Sequence, residues 1–381
     1  MKAIQNKVLG LVFADNPEVD LGVLMNNRSL AAVPVGGRYR IIDFILSNMV
    51  NSGIITIGIT TQSNYQSLMD HIGTGRSWDL DRKNEGLFLL PPYIEGATAS
   101  DVILGGIDTI HGAMDYLTRS RQEYVIVSNC NTICNIDYRE VFKAHIKNEA
   151  DITMVCSKVG KLDQSELKRH ILVDANEKSG LISDIQIYPS KQGNNLSYMH
   201  TFLIKRELLI DLVEDCVAHG EHTISKDLLL RRVKNGKVYA YKFEGYNQTI
   251  DSIQTFFKFN LDLLNKEIRD ELFAADGDNK IYTKPKDMTP TKYGKGADVS
   301  ASFIADGCKI EGVVKNSIIF RGVNVGSGAS IENSIIMQQS DIMDNCMVEN
   351  AIFDKEVILR SGKKLVGQET YPVVIGKKTI V

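Results

Sequence analysis

Between Ile304 and Ile358 apolar residues return at every sixth position in short runs: Ile304 and Ile310; Ile319, Val325 and Ile331; Ile336, Ile342 and Val348; Ile352 and Ile358. No other pattern in the chain narrows the fold so far. An α-helix repeats its face every ~3.6 residues and a strand every ~2, so sixfold return fits neither a helix nor a hairpin. It fits a hexapeptide repeat, in which each short strand turns one branched residue inward and three strands close a coil of a left-handed parallel β-helix. The breaks between runs are where loops or coil slips fall. Such a solenoid has open ends and flat faces, so it is expected to stack against its own domain or another chain.

Upstream, residues 276–302 hold two of the eight prolines, three of the thirty glycines and little apolar content, which predicts a linker. The expected division is thus 1–275, a linker at 276–302, and the β-helix from 303 to 381. Residues 1–275 read as alternating buried strands and amphipathic helices, an α/β domain. Strands are predicted at Val8 to Ala14, Ile55 to Thr61, Tyr124 to Cys130, Ile152 to Val159, Ile182 to Ile187, Met199 to Ile204 and from Val238. Helices are predicted over Ile42–Met49, Tyr65–His71, Val102–Leu117, Tyr138–Lys147, Arg206–His219 and Lys226–Lys234, with a long one after Thr249 or Asp251 as N-cap. At 381 residues and 43% apolar content, two such domains can each bury a core.

A net charge of −3 and the lack of a basic tail argue against a nucleic-acid partner. No apolar run approaches the ~18 residues of a membrane span, and the first residues lead directly into a strand, so the expected location is cytoplasmic. The six cysteines are scattered, and Cys130 and Cys134 lack the second pair that zinc would need.

The loop after the first strand carries Asp15, Asn16, Pro17, Glu18 and Asp20. In α/β folds ligands bind at this end of the strands, and loops that cradle phosphate there are glycine-rich, with backbone N–H groups turned inward. Here Pro17 removes a donor and three carboxylates repel a phosphate.

Two runs, VPVGGRYRIIDFILSNMVNSGI from Val33 and HIGTGRSWDLDR from His71, resemble segments of bacterial glucose-1-phosphate adenylyltransferase, and the resemblance extends to the C-terminus. It implies a Rossmann-like, GT-A-like nucleotidyltransferase domain followed by the β-helix. It also exposes what this chain lacks. At the family's triphosphate arginine stands Asp20, at a lysine of the same region Leu30, and at the sugar-phosphate lysine Tyr188. Asn131 and Thr249 occupy the places of the two metal-binding aspartates. Gly105, Gly106 and Ile107 stand where the family has Gly-Thr-Ala near the base, so that hydroxyl is gone too. Nucleotidyl transfer relies on cations that neutralise phosphoryl oxygens, so loss of both metal carboxylates alone should cost at least roughly a thousandfold in rate.

The resemblance therefore implies no catalytic residues here, Mg²⁺ only in a catalytic partner, and a regulatory subunit of the GlgD type. Such a subunit supports ADP-glucose synthesis in a heterotetramer, or forms a homo-oligomer when alone. Arg28 and Arg40 match basic residues of the family's effector site, where phosphate or sugar phosphates bind, and arginine's fork suits that task. The alternative reading is a weakly active sugar-phosphate nucleotidyltransferase. A hexapeptide acyltransferase is disfavoured because no histidine lies beyond His222 to act as a base in the solenoid.

Overall fold

The computed structural model describes residues 4, 6–61, 64–91, 106–193, 195–274 and 277–381. Gly105, Asp276 and the start of the helical stretch expected from Val102 lie outside the described residues. Among those described, no helix is long and apolar enough to cross a membrane.

Nine strands build one mixed sheet: β1 Val8–Phe13, β2 Thr56–Thr60, β3 Gly86–Leu90, β4 Tyr124–Asn129, β5 Ile152–Lys158, β6 Ile171–Ala175, β7 Ile182–Ile187, β8 Leu196–Lys205 and β9 Val238–Phe243. Four run parallel in the order β3-β2-β1-β4. The long antiparallel β8 joins β4 to β5, which carries β9 beside it, while the β6–β7 hairpin hangs from the start of β8. Every residue of β1 is buried, because successive side chains enter opposite cores. Val8 and Val12 join the layer under the helix Ile41–Asn51; Leu9, Leu11 and Phe13 join the layer under Arg206–Ala218. The apolar runs made β1, β2, β4 and β5 legible. The predicted strands omitted β3, whose apolar residues lie half-exposed at the sheet edge, and β6, a short strand that buries Ile171, Leu172 and Val173 before the exposed Asp174.

Two expectations are corrected. The long helix, Ile253–Asp262, is capped by Ser252, whose Oγ accepts from the Thr255 N–H at 3.3 Å. Asp251 instead binds Arg169, and Thr249 pairs in a short ladder of Asn247–Thr249 with Thr132–Cys134. The segment expected as one helix over Lys226–Lys234 is a π-helical turn, Ile224–Leu230, followed by Arg231–Asn235.

The C-terminal region is a left-handed parallel β-helix whose three faces are five-stranded ladders. Coil building starts at Lys292–Tyr293 and Asp298–Ser300, which pair in register with the next coil, so the expected linker is shorter than 276–302. Its first coil is polar enough on the outside to have read as linker. Inward positions stack as expected, Ile310 on Val325 on Ile342 and Ile331 on Val348, and Val314, outside the sixfold series, extends the second stack. In the last run the register is one residue later than the sequence pattern indicated. Phe353 stacks on Ile336 and Leu359 on Ile342, because successive coils here are 17 residues long.

One face of the solenoid is buried on both sides. Ile318, Ile335 and Ile352 point outward yet are fully buried, since they belong to the same apolar cluster as the N-terminal domain. The solenoid thus stacks on its own domain. Across that seam Arg28 and Asp354 form a bidentate ion pair, 2.9 Å at each contact, with side chains 2% and 1% exposed.

Candidate functional site

The carboxyl ends of β1, β2 and β4 bring the loop after β1 to the edge of the sheet where α/β folds bind ligands. The loop is stitched down rather than left open. Asp15 accepts from the Leu30 N–H, Asp20 accepts from the Gly22 N–H, and the backbones of Asp20 and Ser252 form a parallel bridge. From the loop Glu18 reaches across the cleft, and its carboxylate accepts a hydrogen bond from the Tyr188 hydroxyl at 2.6 Å. Burial and that carboxylate push the Tyr188 hydroxyl's pKa up, so it remains the proton donor.

Two cavities flank the Glu18–Tyr188 bridge. The first, about 240 Å³, has walls that include Phe13, Tyr198, Phe202, His200 and His222. The second, about 210 Å³, is lined by Asn131, Thr249, Asp251, Lys168 and Arg169 among others. Of the five positions singled out from the family resemblance, Asn131, Tyr188 and Thr249 meet around this second cavity. Asp20 lies on the exposed loop, and Leu30 is wholly buried in the core.

The position that the family resemblance assigns to a metal offers donors that do not suit a divalent cation. Hard cations such as Mg²⁺ want anionic oxygens. Asn131, 1% exposed, gives its amide hydrogen to the Ile250 carbonyl, and its Oδ1 has no hydrogen-bond partner among the described residues. Thr249 shares a hydroxyl contact of 3.1 Å with Thr132. The carboxylate beside them, Asp251, is held by Arg169 at 3.1 Å. Among the described residues no three His, Cys, Asp or Glu side chains cluster as metal ligands. All six cysteines are free and buried, and burial pushes the thiols of Cys130 and Cys134 up.

Sequence reasoning overlooked Lys168, Arg169 and His200. The first two directly precede β6, a strand that was not predicted. His200 sits within β8, where its neighbours suggest nothing but strand. It adopts φ 51° at an irregularity between Tyr198 and Phe202, and Tyr188 also has φ 51°. Left-handed backbone is strained for such side chains, and strain of this kind concentrates at functional sites. Burial lowers the pKa of both His200 and the neighbouring His170, so both rings are neutral near pH 7.

At the domain seam a second group of charges gathers. Arg28 is almost fully covered, with its fork taken by Asp354. Arg40, half-buried, donates to the carbonyl and hydroxyl of Ser67. Burial above all, and then Arg28, lowers its pKa to about 10. Lys355 is lowered to about 7 by burial and by Arg40 and Arg28, and Lys286 is lowered by burial and by Arg40 and Arg321. Arg40 is thus one of several crowded cations, whereas Arg28 serves as the seam's buried clamp. Lys286 and Lys355 were not foreseen, because one lay in the expected linker and the other in a turn of the solenoid.

The sequence pattern of the nucleotidyl transferase family matches residues 24–266, and that of the GlmU-like C-terminal hexapeptide family matches residues 284–371. Among curated proteins, the glucose-1-phosphate adenylyltransferase of Fervidobacterium nodosum is 34% identical over 94% of this chain and 85% of its own. The glycogen biosynthesis protein GlgD of Geobacillus stearothermophilus is 37% identical over 86% of this chain and 84% of its own. The GlgD protein of Bacillus subtilis is 33% identical over 98% and 96%.

Proposed function

Because this chain belongs to the nucleotidyl transferase family, in the branch of the glucose-1-phosphate adenylyltransferases and GlgD proteins, we propose that it is a regulatory, non-catalytic subunit in glycogen biosynthesis. Overall identity does not separate the two kinds of relative, since enzyme and GlgD proteins match about equally well. The metal position carries the distinction. An amide and a hydroxyl stand there, and the adjacent carboxylate is neutralised by Arg169. Without a bound cation or the lost lysines and arginine, charge developing on a phosphoryl group is left with Lys168 and an Arg169 already engaged by Asp251.

Its role is then exercised through a catalytic chain that holds the Mg²⁺, in a heterotetramer. The cations at the seam supply a means of regulation. An anionic effector, phosphate or a sugar phosphate, would relieve the mutual repulsion of Arg40, Lys286 and Lys355. Because these residues come from both sides of the seam, such a ligand favours one docking of the domains, and a partner that senses that docking is linked to it.

The deciding experiment measures ADP-glucose synthesis by this chain, by a catalytic homologue, and by the two mixed, with size-exclusion chromatography of each. Silence alone, co-elution, and an altered kcat or effector response in the mixture are expected. Turnover by this chain alone, or a mixture that behaves as the catalytic homologue does, refutes the proposal. A second reading, a weakly active nucleotidyltransferase, draws on Lys168 and Arg169, which line the second cavity and could meet a sugar phosphate.

A further inference from the structure

The first cavity carries polar groups of its own beside its apolar walls. His200 occupies left-handed backbone at the β8 irregularity, a conformation natural to glycine, and the distortion delivers its imidazole into the cavity. The ring meets Tyr198 at 5.3 Å between centroids and carries no side-chain hydrogen bond among the described residues. Glu18, which also lines the cavity, is held in place by Tyr188, itself in left-handed backbone. Two separate distortions therefore aim polar groups into one space.

The walls select a ligand class. Phe13, Tyr198 and Phe202 offer apolar faces for a ring, whereas Asp15 and Glu18 repel anions. No lysine or arginine is among the described residues lining this cavity. Lys168 and Arg169 line the other cavity, which shares Asn16, Glu18, Tyr188 and His200 with this one, and Arg169 is engaged by Asp251 and the Ser252 hydroxyl at 3.1 Å each. A carboxylate and a neutral imidazole are good acceptors for O–H donors. We propose that this cavity binds an unphosphorylated, hydroxyl-bearing ring, a free sugar or a nucleoside, with Glu18 and His200 hydrogen-bonding its hydroxyls. A family pocket built for phosphorylated substrates would thereby have become a sensor of uncharged ones. This inference rests on the non-catalytic reading only in that phosphate contacts are absent.

The test is calorimetry on the full chain with glucose and adenosine, each against its phosphorylated counterpart, glucose 1-phosphate and ATP. Glucose or adenosine is expected to bind at least tenfold more tightly than its counterpart, and which of the two binds identifies the ring. His200→Gly should weaken that binding at least tenfold while leaving the melting temperature unchanged or raised, because glycine relaxes the backbone. Glu18→Gln should weaken it as well without unfolding the chain. Tighter binding of the phosphorylated counterpart, no binding of either ring, or unaltered affinity in His200→Gly overturns the proposal. Failure of the regulatory reading is seen separately, as turnover of glucose 1-phosphate and ATP by this chain alone.

Discussion

Replacing Asp354 by asparagine tests the seam between the domains. The side chain keeps its shape but leaves the Arg28 guanidinium, 2% exposed, with an amide in place of a carboxylate. Removing one partner of a buried ion pair costs about 3–5 kcal/mol, because the remaining charge stays out of water without compensation. Unfolding entropy near the melting temperature is about 2.1 cal/mol/K per residue, which for 381 residues gives about 0.8 kcal/mol/K. The expected fall in melting temperature is therefore about 4–6 °C, read by scanning calorimetry. The double variant Arg28→Met/Asp354→Leu should recover most of the loss, since an apolar pair of similar volume avoids the desolvation cost. Sulfate should partly rescue Asp354→Asn by supplying the missing negative charge near Arg28, Arg40 and Lys355. A fall below about 1 °C, or a double variant no better than the single one, would show that the pair does not clamp the seam.

Lys355, at about 7 in the folded chain against an ordinary 10.5, binds fewer protons folded than unfolded between those values, so stability should rise with pH from about 7 to 10.5. Urea midpoints across that range check this, and Lys355→Met should flatten the rise. The same lysine should make sulfate affinity fall by up to about tenfold per pH unit above 7, with proton uptake on binding; calorimetry in buffers of different ionisation enthalpy would detect it. Electron paramagnetic resonance should find no submillimolar Mn²⁺ site in the native chain, and Asn131→Asp/Thr249→Asp should create one. A Cβ added at Gly312 would lie 2.3 Å from the Ala329 carbonyl oxygen of the next coil, so Gly312→Ala should cost about 1–3 kcal/mol in urea unfolding.

Much of this molecule could be read in advance because its information is periodic. Sixfold recurrence gave the solenoid, and unbroken apolar runs gave the central strands, since both patterns follow from which side chains must leave water. The last run slipped by one residue because Ile352 and Phe353 are both buried, one outward against the domain and one inward; apolarity alone cannot say which. At Asn131 and Thr249 the residue types, an amide and a hydroxyl, were legible in the sequence, and the fold brings both to one cavity. The contacts of His200 and Arg169 were not legible. His200 gains its meaning from a backbone distortion, and Arg169 from meeting Asp251 across 82 residues of chain, neither of which leaves a local signature. Arg28 was legible as a basic residue near the seam, but its burial against Asp354 required knowing how the solenoid docks.

The docked solenoid also restricts how this protein can change over evolutionary time. Free-standing repeat arrays lengthen and shorten by whole repeats with little penalty, since each repeat touches only its neighbours. Here the coils from Ile318 to Ile352 are each fitted outward to a fixed surface, and Asp354 must meet Arg28. A coil gained or lost before Asp354 would shift that carboxylate by about 4.8 Å along the solenoid axis and put every outward isoleucine out of step. Growth by duplication is thus confined to the far end, beyond Val373–Ile375, while the number of coils between linker and clamp behaves as a fixed length.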